Sequence, residues 1–351
     1  MKATSLFTGG GVGESYLNKL GITVTVANEI IEKRGLFYEH LYPETEMIIG
    51  SIQEKSIKNK IIEKSKNNSL LLATPPCQGF STLVAATKAE DFEKDQRNFL
   101  IYDTFEIIDS LDFDCVLIEN VPRFLKMLHP YKGDFTTIQE IITDKYSNRY
   151  QLSFDIFDAK DYKVPQFRKR AVIKMFKKNY RWPDPKKFKE ITVEDAIGHL
   201  PSLESGEDSG IKYHISKVHN EREIMAMRHT PTGQSAFKNK IHFPKKLNGD
   251  KVSGFHNTYK RLEWDKPCKA RTTNNGNIGS HNNVHPGKKL SDGTYSDARV
   301  LTLLELFIVS SLPKNWNVPD WASENMVRQV VGEGVPPKMM YEILKQLMNK
   351  K

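Results

Sequence analysis

A chain of 351 residues, 38% hydrophobic and 10% aromatic, has enough apolar content for one large domain and a smaller one. No apolar run approaches the roughly 20 residues a membrane-spanning helix needs. Three cysteines make neither a disulfide framework nor a metal cluster, so the chain reads as intracellular with reduced thiols. The N-terminal segment has no signal-peptide layout and opens into a strand over Ala3–Phe7, followed by the loop Phe7-Thr8-Gly9-Gly10-Gly11-Val12-Gly13. Glu14–Leu20 predicts a short helix, Ile22–Ala27 a strand, Ile31–His40 a helix, Met47–Ile49 a short strand and Ile57–Lys66 a helix. Leu70–Ala73 and Val116–Ile118 are continuous apolar runs of buried-strand type, with helical spacing over Phe99–Leu111 between them. This alternation argues for an α/β fold with a parallel sheet and crossover helices. The texture changes after about residue 180. Trp182-Pro183-Asp184-Pro185 breaks the pattern, Ser202–Gly210 is a polar loop, and the chain to about residue 300 is rich in Gly, Asn, His and Lys. Arg299–Leu312 predicts an apolar helix stopped by Pro313, and Pro336–Lys350 a last helix with proline in its first turn.

The net charge of +9 is uneven. Residues 174–299 hold 24 Lys and Arg against 14 Asp and Glu, and the remaining 225 residues hold 28 against 29. A basic segment beside a neutral one fits a nucleic-acid-binding domain joined to a catalytic one, although a solvated lysine-rich surface gives the same balance.

The chemistry-bearing residues lie at predicted strand ends. Pro75 and Pro76 fix φ and remove two backbone donors, so the chain leaves the fourth strand in a stiff turn that carries Cys77. Open α/β sheets bind ligands at the carboxyl ends of their strands, which is where a nucleophilic thiol belongs. Glycines after the first strand let the backbone approach a ligand closely. Glu29 at the end of the second strand is placed for ribose hydroxyls. A structural turn alone would account for the glycines; with Glu29 in register a nucleoside-containing cofactor is favoured. The strand at residues 115–118 ends in Glu119-Asn120-Val121-Pro122, an acid and a proline turn that mirror the layout at Cys77. Alternation in Val164–Ile173 puts Gln166, Arg168 and Arg170 on one strand face, where two guanidiniums could hold phosphate or a base edge, or form an exposed basic edge. The six histidines between His199 and His256 lack metal-ligand spacing and read as polar surface or nucleic-acid contacts. Trp182, Tyr259 and Trp264 read as core packing, and Cys115 as a buried thiol.

Together these segments resemble the DNA cytosine-5 methyltransferase family over nearly the whole chain. Phe7-x-Gly9-x-Gly11 is similar to its first motif, Asn28-Glu29 to the second, and Pro75-Pro76-Cys77-Gln78 to the catalytic loop. Glu119-Asn120-Val121 is similar to the sixth motif and Gln166-x-Arg168-x-Arg170 to the eighth. Asp265-Lys266-Pro267 through Arg271-Thr272-Thr273 and Gly276-Asn277 is similar to the ninth, and Gly332-Glu333-Gly334-Val335-Pro336-Pro337 to the tenth. The basic variable segment falls between the eighth and ninth. Three positions depart from the family pattern: Ser5 stands where an acid is usual, Val12 where a further glycine is common, and Ser51 after Gly50 where an aspartate contacts the adenine.

The resemblance implies a Rossmann-like S-adenosylmethionine-dependent methyltransferase domain, residues 1–175 plus 327–351, and a smaller, irregular DNA-recognition domain, residues 176–326. It implies methyl transfer from S-adenosylmethionine to C5 of a flipped-out cytosine in a specific duplex DNA sequence, through a Cys77 adduct at C6. Glu119 would hydrogen-bond N3 and the exocyclic amine, and Arg168 and Arg170 would stabilise charge at O2. Phe7, Thr8, Gly9, Gly11, Gly13, Glu29, Ser51, Ile52, Pro76, Asn98 and Leu100 would hold the cofactor. Gln78, Ser81, Gln166, Thr272, Thr273 and Asn274 would contact DNA, with base readers among the Arg, Lys, Asn and His of about 205–262. No metal is implied. The implied setting is the cytoplasm of a prokaryote, or a virus, with a nucleoid-associated monomer on double-stranded DNA that protects it from a partner restriction endonuclease. The alternative is the branch of the family that methylates cytosine in transfer RNA. A dinucleotide-dependent oxidoreductase leaves Pro75–Gln78 and Glu119–Val121 unexplained.

Overall fold

A computed structural model describes residues 1–76 and 95–348, and the chain divides into two compact units. The first comprises Met1–Asp158, Lys169–Lys186 and Met340–Lys351; the second comprises Ala159–Arg168 and Lys187–Met339. The sequence-based boundaries, at 175/176 and 326/327, fall at different residues from this division. None of the helices among the described residues is long and apolar enough to cross a membrane.

The first unit is built on a seven-stranded sheet of β1 (Lys2–Leu6), β2 (Thr23–Glu29), β3 (Glu46–Ile49), β4 (Leu70–Ala73), β5 (Cys115–Asn120), β8 (Gln151–Asp158) and β9 (Lys169–Phe176). Their order across the sheet is β3-β2-β1-β4-β5-β9-β8. β3, β2, β1, β4 and β5 pair in parallel, as the apolar runs predict. β9 instead pairs antiparallel with both β5 and β8. Alternating strand and helix patterns do not reveal that reversal, because β8 and β9 follow each other without a crossover helix. Every residue of β4 and β5 is buried, so Leu70–Ala73 and Cys115–Ile118 read as unbroken apolar runs. The helices Lys55–Ser65, Leu100–Ser110 and Ile138–Tyr146 bring Ile61, Phe105, Ile108, Ile141 and Ile142 into the same core.

Local chemistry explains the other departures. The helix expected over Glu14–Leu20 is two single 3-10 turns, Val12–Glu14 and Leu17–Leu20, the second closed by Gly21 at φ +67°. The strand pair β6 (Leu128–Tyr131) and β7 (Asp134–Thr137) is joined by Lys132-Gly133, both at positive φ, the conformation of a tight hairpin turn. Lys at the first position hides that turn from a sequence reading. Thr137 and Glu140 then form a reciprocal cap that starts the helix Ile138–Tyr146.

The second unit is irregular, as expected from its composition. Among its described residues strand pairing occurs only as isolated bridges, and its helices are short: Val193–Ile197, Glu221–Arg228, Leu303–Val309 and Glu324–Glu333. The apolar helix expected over Arg299–Leu312 covers only Leu303–Val309, because Thr302 and Glu305 cap it. Small cores among the described residues hold the unit, one including Ile197, Leu262 and Leu301, another Met227, Ile278 and Val300. Arg261, Arg271, Arg299 and Arg328 are fully buried. Arg261 donates to the carbonyls of Met227, His285 and Asp297, and Arg299 pairs with Glu305 and Asp297 at 2.7 and 2.8 Å. Arg261 and His214, both 0% exposed, therefore leave the set of candidate base readers in 205–262.

Candidate active site and cofactor loop

The carboxyl ends of β1, β2, β4 and β5 are tied together by hydrogen bonds. The chain leaves β1 at Phe7, a half-buried aromatic residue held at φ +60°. Positive φ is unusual for a bulky side chain and marks a constrained position. The Phe7 carbonyl accepts from Thr74 Oγ1 at 2.9 Å, and Asn120 Nδ2 donates to the Pro75 carbonyl at 3.1 Å. The proline turn after β4 is thus fixed on one side to the loop after β1 and on the other to the end of β5. Cys77, Gln78 and Ser81 follow that turn and lie outside the described residues.

Glu29, the last residue of β2, is 5% exposed. Its Oε2 accepts from the Gly9 N–H and its Oε1 from the Ile31 N–H, both at 2.9 Å. These two bonds leave further acceptor positions on the carboxylate. Asn28 Nδ2 donates to the carbonyls of Ile48 and Gly50, which joins the ends of β2 and β3 just before Ser51 and Ile52. Ser51 is half-buried and Ile52 buried. Thr8 donates its backbone N–H to the Asn28 carbonyl at 3.1 Å, while Gly13 sits in the first 3-10 turn. Pro76 is half-buried, Asn98 is buried, and Leu100 begins the helix Leu100–Ser110. Phe7, Gly9, Glu29 and Ser51 thus sit at the ends of the three adjacent strands β1, β2 and β3, beside the β1/β4 boundary where the strand order reverses. That reversal is where open α/β sheets form their ligand crevice.

Beneath the loop lies a buried acid that the sequence reading passed over. Glu14 accepts from Ser5 Oγ at 2.6 Å and from the Tyr38 hydroxyl, and Tyr42 Oη donates to the Gly11 carbonyl at 2.7 Å. Burial pushes the Glu14 carboxyl up to about 7, against the lowering effect of the Ser5 and Tyr38 hydrogen bonds. Gly11 sits at φ +71°, and a Cβ there would collide with Tyr42 and lie 2.9 Å from Tyr38 Cδ2. An acid thus reaches Ser5 from nine residues along the chain rather than occupying that position. Only Gly11, immediately before the 3-10 turn, hints at a chain folding back on itself.

At the end of β5, Glu119 is 6% exposed and its Oε1 lies 2.8 Å from Arg170 Nε. The pair is placed by the antiparallel register that sets Glu119 opposite Val172 and Asn120 opposite Ala171. Arg168 does not share this face. β9 begins only at Lys169, and Arg168 belongs to the second unit, where it is 5% exposed. Its fork donates to the carbonyls of Arg271, Gly332 and Glu333 at 2.9–3.1 Å. Gln166 is 1% exposed, takes the Arg271 N–H on Oε1 at 3.2 Å and donates from Nε2 to the Val309 carbonyl at 3.3 Å. The single face expected for Gln166, Arg168 and Arg170 is therefore not formed, because the chain is not a strand before Lys169. Thr272 Oγ1 is buried without a hydrogen-bond partner among the described residues, while Thr273 and Asn274 are exposed. Asn275 is the residue that fastens this loop, donating to the carbonyls of Thr272 and Arg328. Among the described residues no group of His, Cys, Asp and Glu is arranged to hold a metal ion. Cys115 and Cys268 are buried, and burial pushes both thiols up.

The strand order, the glycine loop after β1 and the acid ending β2 define a Rossmann-like methyltransferase fold joined to a smaller irregular unit. A prophage-encoded E. coli chain described as a DNA modification methyltransferase superposes with a TM-score of 0.71 at 19% identity, covering 100% of this chain and 99% of that one. The profile of the family described as C-5 cytosine-specific DNA methylase matches residues 1–349. The type II methyltransferase M1.HgaI of Avibacterium volantium is 44% identical over 98% of this chain and 97% of its own length. A tRNA (cytosine(38)-C(5))-methyltransferase of Spodoptera frugiperda is 26% identical over 92% of this chain and 89% of its own. The chain belongs to the C-5 cytosine-specific DNA methylases and is a DNA (cytosine-5) methyltransferase.

Proposed function

We propose that the protein methylates C5 of a flipped-out cytosine within a specific duplex DNA sequence, using S-adenosylmethionine. The first unit is its catalytic part and the second carries target recognition. The observation that supports this most directly is the convergence of the Glu119–Arg170 pair and the Pro75-Pro76 turn, which leads into Cys77, at the end of β5. The 44% identity with a type II methyltransferase favours DNA over transfer RNA as substrate and supports a role protecting DNA from a cognate restriction endonuclease. The enzyme would act as a cytoplasmic, nucleoid-associated monomer.

The residues at the strand ends suit S-adenosylmethionine. Glu29 retains acceptor positions for ribose hydroxyls, and Gly9 has open space where a side chain would stand. Phe7 offers apolar surface for an adenine, Ser51 offers a hydroxyl in place of the usual carboxylate, and the buried Ile52 follows it in the proposed set. Thr8, Gly11, Gly13, Pro76, Asn98 and Leu100 complete the proposed set. When bound, the cofactor supplies an electrophilic methyl on a sulfonium.

Cytosine C5 is a poor nucleophile and needs activation. The Cys77 thiolate adds to C6, and the electron pair so displaced makes C5 nucleophilic. After methylation the C5 proton is lost, the bond to Cys77 breaks and the ring recovers its aromaticity. Glu119 holds N3 and the exocyclic amine through a shared proton, which requires the base to compete with Arg170 for the carboxylate. Arg170 then faces O2. A duplex target must swing out of the stack, at a cost of a few kcal/mol.

Two measurements test this. Labelled methyl groups should appear in duplex DNA and not in transfer RNA, with bisulfite sequencing of host DNA giving the modified context; incorporation into RNA alone would sink the proposal. A duplex carrying 5-fluorocytosine at the target should trap the wild-type chain covalently and leave Cys77→Ala free, while that variant still binds DNA.

A further inference from the structure

We propose that the hairpin at residues 244–252 of the second unit enters duplex DNA with Leu247 as an apolar wedge and its lysines on the flanking phosphates. The inference rests on the DNA substrate proposed above and adds the element that deforms it. Lys245 and Lys251 pair across an antiparallel bridge, and Val252 N–H donates to the Pro244 carbonyl at 2.9 Å. The turn closes through the Lys246 N–H, which donates to the Asp250 carbonyl at 2.8 Å, and the Gly249 N–H, which donates to the Lys246 carbonyl at 3.1 Å. Asn248 and Asp250 bond to each other by side chain and backbone, which stiffens the tip around Gly249. Phe243 underpins the stem, with the Lys245 and Lys251 ammonium groups 5.0 and 5.6 Å from its ring centroid.

Leu247 stands at the end of this rigid turn and is 88% exposed, the most exposed large apolar side chain among the described residues. A turn tip is where a polar residue is cheapest, and an exposed leucine there with exposed Ile241 and Phe255 on its flanks marks an interaction surface. The charge around it says which. Lys238, Lys240, Lys245, Lys246 and Lys251 are all exposed, and none has an ion-pair partner among the described residues. Asp250 is the one acid between residues 237 and 256, against those five lysines. Ile241 and Phe255, 72% and 71% exposed, flank the hairpin with further apolar surface. Unpaired lysines around a projecting apolar tip fit a polyanion whose interior is a stack of flat apolar rings. Proteins that deform duplexes use this arrangement, inserting an apolar side chain between base steps while cations hold the backbone. Because an enzyme that extrudes a base must break stacking, such a wedge has an evident use here.

The test uses full-length protein and a duplex carrying the site found by bisulfite sequencing. Permanganate, which oxidises unstacked thymines, should mark a step in the wild-type complex that stays unmarked with Leu247→Ser. That variant should bind the site at least tenfold more weakly, and Leu247→Met should restore both readouts. Lys245→Ala/Lys246→Ala should lower the slope of log Kd against log salt by about two, since each phosphate contact contributes about 0.9. The side chain is exposed, so these variants keep the fold, which circular dichroism verifies. If the wild type methylates duplex DNA but Leu247→Ser leaves affinity and permanganate reactivity unchanged, the wedge is wrong and the proposed function stands. If the wild type methylates no duplex DNA, the proposed function itself falls. A Leu247→Ser defect confined to binding a protein partner would also overturn the wedge.

Discussion

Glu14→Gln should change how stability depends on pH, by an amount the structure sets. The Glu14 carboxyl is buried under the loop after β1, and that burial raises it from 4.5 to about 7. In the unfolded chain it ionises near 4.5; in the folded chain it holds its proton until about pH 7. Between those values the folded state binds more protons than the unfolded one, so stability falls as pH rises, and the loss is complete above pH 7. A shift of this size corresponds to roughly 3 kcal/mol at about 1.4 kcal/mol per pH unit. Glutamine keeps an acceptor for Ser5 Oγ or the Tyr38 hydroxyl but has no charge to bury, at a cost of about 1 kcal/mol for the weaker hydrogen bonding. Glu14→Gln should therefore be slightly less stable than the wild type at pH 5 and about 2 kcal/mol more stable at pH 8. With an unfolding entropy of about 2.1 cal/mol/K per residue, the gap between the two melting midpoints should move by about 3 °C across that range. Scanning calorimetry at pH 5, 6, 7 and 8 measures it. Parallel curves for the two proteins would mean that Glu14 is ionised throughout, and the argument from burial would fail.

The remaining expectations concern the other fixed points. In Gly332→Ala the new Cβ would press into the Thr272 carbonyl oxygen and lie 2.9 Å from the Thr273 amide nitrogen, both backbone atoms. Urea midpoints should show a loss at or above the usual 1–3 kcal/mol of overpacking, and wild-type stability would contradict the packing. Arg168→Lys should lower the melting midpoint, because an ammonium cannot span the carbonyls of Arg271, Gly332 and Glu333, while turnover by the folded enzyme stays close to wild type. Arg170→Lys should do the reverse, with kcat falling and the midpoint little changed. Glu119→Gln should lower kcat far more than it raises the KM for S-adenosylmethionine; equal losses would move Glu119 out of its proposed role.

The parallel half of the sheet was legible because burial on both faces writes a continuous apolar run, as in Leu70–Ala73 and Cys115–Ile118. The strand ends were legible for the same reason: a polar or proline residue that follows such a run must lie at its rim. That logic places Glu29, Pro75 and Glu119 at strand ends from the sequence alone. What stayed hidden depends on contacts distant in sequence. Nothing near Glu14 announces that Tyr38 will meet it, and nothing near Gln166 shows that Val309, 143 residues away, will take its amide hydrogen. Period-two alternation placed Gln166, Arg168 and Arg170 on one face because it assumed a strand, and the strand starts three residues later.

The same limit explains why arginine misleads in the second unit. A basic segment suggests cations facing a polyanion, yet Arg261, Arg271, Arg299 and Arg328 point inward. The reason lies in the backbone. A unit with only isolated bridges leaves many carbonyls without a ladder partner, and a buried carbonyl must be satisfied. A guanidinium offers five donors in a rigid fork, so one side chain can close several such gaps. Arg261 reaches three carbonyls, and Arg271 bonds to the carbonyls of Lys269 and Asn282. Lysine, with a single flexible ammonium, cannot replace that fork and remains at the surface, where Lys245, Lys246 and Lys251 surround Leu247. Within this unit Arg222 and Arg228 stay at the surface with the lysines, and the four buried arginines take a different role, substituting for missing strand partners.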